Sequence, residues 1–288
     1  MQRANNDDDD EAELDSSSPL FTPESSPSPS IKKKKSKDEQ SIKVSFQQAP
    51  FYVSGLFHFN QFLSSKECQE IVENVIGCNY FNINQGRDQA VLFGLRNKNN
   101  QHESSQSNGG LPDWAQMLLK LIEERLRVAY KDEIDKDTID ILYNPFIQSD
   151  TEYTRQMILN IYTPGQGIAD HIDIPHRFLD GIMILSFGSG ISMNFAPANK
   201  NQEDESFSLY LQPGSICILT GKSRWEWTHG ITPQTYDLVY DKQTDHIHKI
   251  ERSPRFSITI RWLKIQPESN YNLNNNDDVA QSNLRSHN

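Results

Sequence analysis

Residues 255–262, Arg-Phe-Ser-Ile-Thr-Ile-Arg-Trp, alternate strictly between polar and apolar side chains. Because successive side chains of a β-strand point to opposite faces, this pattern predicts a strand with one wholly polar face and one wholly apolar face. Such a strand separates a hydrophobic core from either a polar cavity or solvent. The pattern does not distinguish a cavity-lining strand from a half-exposed one, so both interpretations stay open.

Shorter β-rich runs precede this strand and are separated by turn residues such as Pro164-Gly165-Gln166-Gly167. The runs occupy residues 157–162, 181–187, 191–195, 207–211 and 215–219. Several short strands with this punctuation are typical of a β sandwich or barrel. The uncharged stretch 181–199 approaches the length of a membrane span, but its serine, glycine and asparagine residues favour buried strands.

Two helices are predicted ahead of the β-rich region. Ser64 and Glu67 have the spacing of a capping box, which would open a helix extending to about residue 76. Residues 114–130 form the second helix, because their leucines and isoleucine recur at helical spacing. Helices followed by a β core indicate an α+β fold with the N-terminal helices packed outside.

Low-complexity sequence at both ends leaves room for one domain in between. The chain has 288 residues and a formal net charge of −11, which does not favour nucleic-acid binding by bulk charge, although a local basic groove is compatible with it. Residues 1–45 contain acidic, Ser/Pro-rich and basic runs, and residues 268–288 are rich in asparagine. Such segments bury too little apolar surface to offset their ordering entropy, and both are predicted to be disordered tails. Residues 46–267 are then predicted to form a single domain.

Cysteine content and the N-terminus bear on the cellular compartment. Three cysteines exclude a disulfide framework and a four-cysteine zinc site, which fits a reducing intracellular environment. The first residues do not have the basic-then-apolar order of a secretory signal. The lysine-rich run 32–37 is either a nuclear-import signal or a charged linker. We therefore expect the nucleus and/or the cytoplasm, and no membrane partner; the oligomeric state stays open.

The tripeptide His171-Ile172-Asp173 is the sharpest local signal for chemistry. On a strand, residues two apart share a face, so this imidazole and this carboxylate could reach the same ion. His229 would join them if a closed β sandwich brought it back. Two histidines and one carboxylate form the facial triad of non-haem Fe(II) oxygenases, which leaves coordination positions open for a co-substrate and O₂. The alternative is a structural or surface pair without a metal.

Three further residues suggest a second ligand beside the ion. The planar guanidinium of one of the two arginines in residues 255–262 could bind a carboxylate through two hydrogen bonds, which suggests a dicarboxylate co-substrate. Asn160 and Tyr162, two apart in the run 157–162, could add neutral hydrogen bonds. In contrast, the pair His246-Ile247-His248 lies in the polar stretch 241–251, which is predicted to be a loop.

Five elements together resemble the AlkB family of Fe(II)/2-oxoglutarate dioxygenases. In chain order they are Asn160-x-Tyr162, His171-x-Asp173, His229, Arg255 and Arg261. The resemblance extends over roughly residues 50–265 and implies a double-stranded β-helix, or jelly-roll, core with N-terminal elements forming a substrate lid. It also implies a metal centre in which His171, Asp173 and His229 bind Fe(II), with 2-oxoglutarate and O₂ as co-substrates.

The same resemblance assigns the remaining site residues and a reaction. Arg255 would bind the distal carboxylate of 2-oxoglutarate with Asn160 and Tyr162, and Arg261 would lie near co-substrate and substrate. The implied activity is oxidative demethylation or hydroxylation of a modified base in RNA or DNA, and residues 178–189 are similar to a eukaryotic branch of the family. Two alternatives stay open: the same chemistry on a protein side chain, and a jelly-roll module that binds metal or ligand without turnover.

Residues Phe81, Arg87 and Phe93 fall in the region where lids of this family contact nucleotides. The sequence alone leaves their role open, and the residues that bind the substrate are not assigned.

Overall fold

The computed structural model describes residues 43–50, 52–94, 110–148, 152–199 and 205–265. The predicted tails 1–45 and 268–288 lie outside this part of the chain, apart from residues 43–45, and the predicted domain limits 46–267 stay a prediction. Strand β1 begins at Val44, two residues before the predicted start of the domain. Within the described residues, no helix combines the length and the hydropathy needed to cross a bilayer.

The regular elements of these residues are thirteen strands and four α-helices. The strands are β1 (Val44–Ser45), β2 (Leu56–Phe59), β3 (Gln89–Phe93), β4 (Tyr153–Tyr162), β5 (Ile168–His171), β6 (Phe178–Gly188), β7 (Ile191–Pro197), β8 (Phe207–Leu211), β9 (Ile216–Leu219), β10 (Trp227–Ile231), β11 (Tyr236–Asp241), β12 (His246–Glu251) and β13 (Arg255–Lys264). The helices are α1 (Ser65–Gly77), α2 (Asp113–Val128), α3 (Lys136–Tyr143) and α4 (Gly221–Trp225).

Two antiparallel sheets form the jelly roll. The larger has the strand order β2-β9-β6-β13-β4-β3, and the smaller has the order β5-β10-β7-β8. A hydrophobic cluster joins them, with buried Ile184 of the larger sheet and Met193, Phe195 and Leu209 of the smaller. A third sheet, in the order β1-β11-β12, stands beside them. The expected α+β fold with a double-stranded β-helix core is confirmed.

Helices α1, α2 and α3 cover the outer face of the larger sheet. Ile71 of α1, Ile122 of α2 and Leu142 of α3 belong to one buried cluster with Ile258 and Ile260 of β13. The larger sheet is therefore buried on both faces, which explains the nearly continuous apolar sequence of β6. Both predicted helices are confirmed, and the predicted capping box opens α1.

Strand β13 lies in the centre of the larger sheet, between β4 and β6. Its apolar side chains pack under the helices, and its polar side chains point the other way, into the space between the two sheets. Arg255, Ser257 and Arg261 are each at most 3% exposed. The polar face thus lines a cavity, and the alternative of a solvent-facing strand is wrong.

Two local expectations are corrected. The stretch 241–251 is not a loop: β11 and β12 form an antiparallel hairpin in which Tyr236 pairs with Glu251. Almost every side chain of β12 is exposed, so the strand lacks the apolar alternation that would reveal it. In addition, His171 is the last residue of β5, and Asp173 lies just beyond the strand. Strand parity therefore does not by itself bring the two side chains together.

Candidate metal centre and its pocket

The two histidines of the predicted triad face each other across neighbouring strands. His171 at the end of β5 and His229 in β10 are Cα partners in the antiparallel ladder, and their ring centroids are 4.5 Å apart. Gly230 permits this close approach, because a Cβ atom there would lie 2.2 Å from Oδ1 of Asp170 on β5. Strand register therefore brings together two imidazoles that are far apart in the sequence.

Asp173 completes the cluster. One potential ligand atom from each of His171, Asp173 and His229 lies within 4.8 Å of the others. Oδ1 of Asp173 is 2.7 Å from Nη1 of Arg261. Oδ2 is buried and has no hydrogen-bond partner among the described residues. Leaving a buried carboxylate oxygen unpaired is unfavourable, and a cation bound at Oδ2 would satisfy it.

The protonation states of the cluster suit a divalent metal. Burial alone would raise the pKa of the Asp173 carboxyl, but the Arg261 guanidinium and the two imidazoles hold that pKa well below its usual range. Burial lowers the pKa of His229 to about 3, so its imidazole is neutral at physiological pH. Nδ1 of His171 lies 2.8 Å from the carbonyl oxygen of Ala169 and donates to it, so Nε2 is the ring nitrogen that faces Asp173. Ionised carboxylate and neutral imidazoles are the forms that bind metals, and two nitrogens with one oxygen fit Fe(II).

Arg255 and its neighbours form another part of the same cavity. Nη2 of Arg255 donates to Oγ of Ser186 at 2.9 Å, and its guanidinium carbon is 5.5 Å from the ring centroid of Tyr162, its cross-strand partner on β4. Oδ1 of Asn160 accepts a hydrogen bond of 2.7 Å from Nε2 of Gln89 on β3. The cavity has a volume of about 80 Å³.

All seven residues that the sequence singled out line this one cavity. They are Asn160, Tyr162, His171, Asp173, His229, Arg255 and Arg261. Arg261 makes three contacts that fix its guanidinium. Besides the ion pair with Asp173, it donates from Nε to Oε1 of Gln156 at 2.9 Å and lies 3.5 Å from the ring centroid of Phe178.

Sequence reasoning missed several polar residues that support the site. Gln89, Gln156 and Ser186 each bond a predicted residue across a strand pair, and Nη1 of Arg224 donates to the main-chain oxygen of Asp173 at 2.9 Å. Only Gln156 left a signal, because it continues the alternation of Asn160 and Tyr162 on β4. The other three depend on strand register or on a distant helix.

The remaining candidates have different environments. Phe81 packs edge-on against Phe256, on the helix-covered side of β13, whereas Arg87 and Phe93 are exposed. His246 and His248 lie on exposed β12. In the described residues, His171, Asp173 and His229 are the one group of three such side chains whose ligand atoms converge.

A jelly roll that brings two histidines and one aspartate together, with a buried arginine in the same cavity, has the architecture of the non-haem iron oxygenases. The profile of the 2OG-Fe(II) oxygenase superfamily matches residues 55–261, well over half of the chain. The chain therefore belongs to the 2OG-Fe(II) oxygenase superfamily, and its relatives place it among the AlkB-like members. The superfamily's name identifies Fe(II) and 2-oxoglutarate as its metal and co-substrate, and the donors of His171, Asp173 and His229 fit Fe(II).

Three curated proteins illustrate the relationship. The tRNA (carboxymethyluridine(34)-5-O)-methyltransferase alkbh8 of Xenopus tropicalis is 34% identical over 122 residues, which are 39% of this chain and 19% of that protein. The alkylated DNA repair protein ALKBH8 homolog of Arabidopsis thaliana is 24% identical over 245 residues, which cover 78% of this chain and 63% of that protein. The RNA demethylase ALKBH5 of Xenopus tropicalis is 29% identical over 123 residues, which cover 40% of this chain and 33% of that protein. In each case the match spans less than two thirds of the relative's length.

Proposed function

We propose that this chain is an Fe(II)/2-oxoglutarate-dependent dioxygenase that demethylates or hydroxylates a modified base in RNA or DNA. One observation carries the proposal: ligand atoms of His171, Asp173 and His229 converge in the same buried cavity as the guanidinium of Arg255. The names of the three relatives refer to tRNA, alkylated DNA and RNA, which supports a nucleic-acid substrate in general.

Each site residue then has a distinct task. His171, Asp173 and His229 hold the iron, which supplies the oxidising chemistry when 2-oxoglutarate and O₂ are present. Arg255, with Asn160 and Tyr162, binds the distal carboxylate of 2-oxoglutarate. Arg261 borders the co-substrate.

The chain's own residues orient and desolvate the centre. Arg261 occupies Oδ1 of Asp173, so Oδ2 stays available for the metal. The bond from Nδ1 of His171 to Ala169 fixes the tautomer that presents Nε2. Asp173 and His229 are at most 7% exposed, and this burial excludes bulk water and strengthens the electrostatic interactions at the site.

On an N-methyl substrate, the proposed reaction consumes both oxygen atoms of O₂. One oxygen atom of O₂ enters succinate as 2-oxoglutarate loses CO₂, and the other converts the N-methyl group to N-hydroxymethyl. The N-hydroxymethyl group then releases formaldehyde and leaves the N–H form of the base. On a carbon-bound group the reaction stops at the alcohol.

The surface beside the cavity suits an unpaired base. Gln89 of β3 lines the cavity, and Val91 and Phe93 continue the same face of this strand with exposed fractions of 40% and 46%. Exposed apolar and aromatic surface next to a reactive site can support a base by stacking. A base in a duplex would have to be flipped out first, so a single strand is the better substrate.

The decisive experiment measures succinate and formaldehyde with a panel of single-stranded RNA and DNA oligonucleotides, each carrying one methylated base. We expect formaldehyde release from at least one oligonucleotide, dependent on both Fe(II) and 2-oxoglutarate. Turnover with methylated peptides but with no oligonucleotide would instead identify a protein substrate. A folded protein that binds Fe(II) and 2-oxoglutarate but never forms succinate would be a binding module, and the proposal would be wrong.

The base-stacking surface has its own test with a matched control. Phe93→Ala should weaken binding of single-stranded oligonucleotides about 10-fold, since one aromatic stack contributes roughly 1–3 kcal/mol. Phe46 is exposed to the same 46% but packs edge-on against Tyr240 of β11, away from β3, so Phe46→Ala should leave oligonucleotide binding unchanged. Fluorescence anisotropy measures both. Equal effects of the two substitutions would remove β3 from the substrate surface.

A further inference from the structure

Arg224 is a buried cation behind the metal centre that the proposed chemistry does not use. It belongs to α4 and is 1% exposed. Its Nη1 donates to the main-chain oxygen of Asp173 at 2.9 Å, and its guanidinium lies 4.2 Å from the ring centroid of Trp225. Nε and Nη2 are buried and have no hydrogen-bond partner among the described residues. Burying a guanidinium with two unused donors lowers stability, so its presence requires another explanation.

Asp173 is the ligand that most needs outside support. It lies beyond the last residue of β5, so no strand pairing holds its main chain, in contrast to the cross-strand pair His171 and His229. Arg261 of β13 fixes its carboxylate, and Arg224 of α4 fixes its main chain. Two arginines from different elements therefore hold the same aspartate at two points.

Hydrogen bonds to neighbouring segments fix helix α4, which carries Arg224. Ser223, next to Arg224, donates from Oγ to the main-chain oxygen of Gly55 at 2.8 Å. The amide of Gly221 donates to both carboxylate oxygens of Asp180 at 3.0–3.1 Å. A Cβ atom at Gly55 would lie 2.0 Å from the main-chain oxygen of Thr220, which shows how closely the start of α4 packs on the neighbouring chain.

We propose that Arg224 is a positioning residue that holds Asp173 in its metal-binding place, at a cost to the stability of the fold. The inference rests on the proposed role of Asp173 as an iron ligand. Arg224 does not line the cavity and so does not touch the metal or the co-substrate. It acts through the Asp173 main chain, which keeps the carboxylate beside the two imidazoles.

The test uses the full chain and the redox-stable probe Mn(II), whose binding is followed by electron paramagnetic resonance. Arg224→Met keeps similar volume but removes the charge and the hydrogen bond. We expect Mn(II) affinity to fall about 10-fold or more, as for other groups that orient metal ligands. Thermal unfolding of the metal-free protein should be unchanged or shifted upward. Arg224→Lys retains a donor and should restore part of the affinity.

Arg155 provides a matched control. It is also buried, also donates from Nη1 to a main-chain oxygen (that of Leu142), and lies 3.6 Å from the ring centroid of Trp262. Its carbonyl partner belongs to α3, away from the triad. Arg155→Met should leave Mn(II) affinity unchanged.

The outcomes separate this inference from the proposed function. Unchanged Mn(II) affinity in Arg224→Met, while Asp173→Ala loses Mn(II) binding, overturns the role of Arg224 and leaves the ligand assignment standing. A metal-free Arg224→Met protein that is unfolded also overturns it, because Arg224 would then serve stability. Mn(II) binding that is equal in the unmodified protein and in Asp173→Ala overturns the ligand assignment itself.

Discussion

At the scale of single residues, Asp173 concentrates the chemistry of the site. Its carboxylate is buried, ionised and paired on one oxygen only, and its main chain accepts from a second arginine. His229, by comparison, is simply neutral and buried. One carboxylate and two imidazoles are together a donor set that binds a divalent cation.

Asp173→Ala should abolish Mn(II) binding and succinate formation, because it removes the sole anionic ligand of the cluster. The hydrophobic clusters do not include this side chain, but the variant loses the buried ion pair with Arg261, so circular dichroism should confirm that it is folded. Asp132→Ala, at an exposed position after α2, is the matched control and should behave like the unmodified protein. Succinate formation at normal rates in Asp173→Ala would exclude Asp173 from the metal centre.

Arg255 should act on the co-substrate and not on the metal. Arg255→Ala should raise the KM for 2-oxoglutarate by roughly 100-fold, because truncating a charged partner costs on the order of 3 kcal/mol. Mn(II) affinity without 2-oxoglutarate should change little. Arg255→Lys should have a KM for 2-oxoglutarate between those of Arg255→Ala and the unmodified protein. An ammonium group lacks the planar guanidinium that binds a carboxylate through two hydrogen bonds. Equal losses of metal and co-substrate binding would assign Arg255 to the structure of the cavity.

At the scale of elements, the β11–β12 hairpin lies in the sequence between β10, which carries His229, and β13, which carries Arg255. A buried ion pair closes its base: Arg252 donates from Nε and Nη2 to the two carboxylate oxygens of Asp237 at 2.8 and 2.7 Å. Arg252 also donates from Nη1 to the main-chain oxygen of Thr232 at 2.9 Å, just after β10. The ion pair thus ties the end of β10 to the start of β13.

Asp237→Asn should destabilise the protein by about 3–5 kcal/mol, because it leaves the Arg252 charge buried without a counter-charge. Urea unfolding of the metal-free protein measures the free energy of unfolding. Asp245→Asn, in the turn of the same hairpin, should change it by less than about 0.5 kcal/mol, as expected for a surface position. Similar effects of both substitutions would show that the ion pair does not stabilise the hairpin base.

At the scale of the whole molecule, buried histidines link stability to pH. His58 on β2 has both ring nitrogens buried, and this burial lowers its pKa from 6.5 to about 4. The unfolded chain therefore binds more protons than the folded chain between these two values. Stability from this group is complete above pH 6.5 and falls as the pH drops toward 4, by on the order of 3 kcal/mol in total.

His58→Leu should flatten the pH dependence of unfolding between pH 6.5 and 4, because the leucine does not titrate. Unfolding should be followed with a chelator present, so that metal binding does not contribute. His246→Leu, on exposed β12, should keep the pH dependence of the unmodified protein. An unchanged slope in His58→Leu would mean that other groups, such as the triad, dominate acid unfolding.

Much of this protein could be predicted because local pattern carried the information. Capping-box spacing located α1, and strict alternation located β13 and its polar face, whereas the structure decided that this face lines a cavity. Residue type, spacing and the resemblance to the AlkB family together singled out seven of the residues that line the cavity. In contrast, β12 escaped prediction because both of its faces are exposed, which removes the alternation that a one-sided core imposes.

The sequence by itself determined the α+β layout, the main strands and the donor types of the metal centre, since these depend on side-chain chemistry and short spacings. Only the tertiary structure decided that His171 faces His229 across β5 and β10, that Arg261 pairs with Asp173, and that Arg224 supports the same residue from behind. The reason is physical: strand register and the packing of α4 are set by contacts between distant segments, and no local pattern records which distant residues will meet.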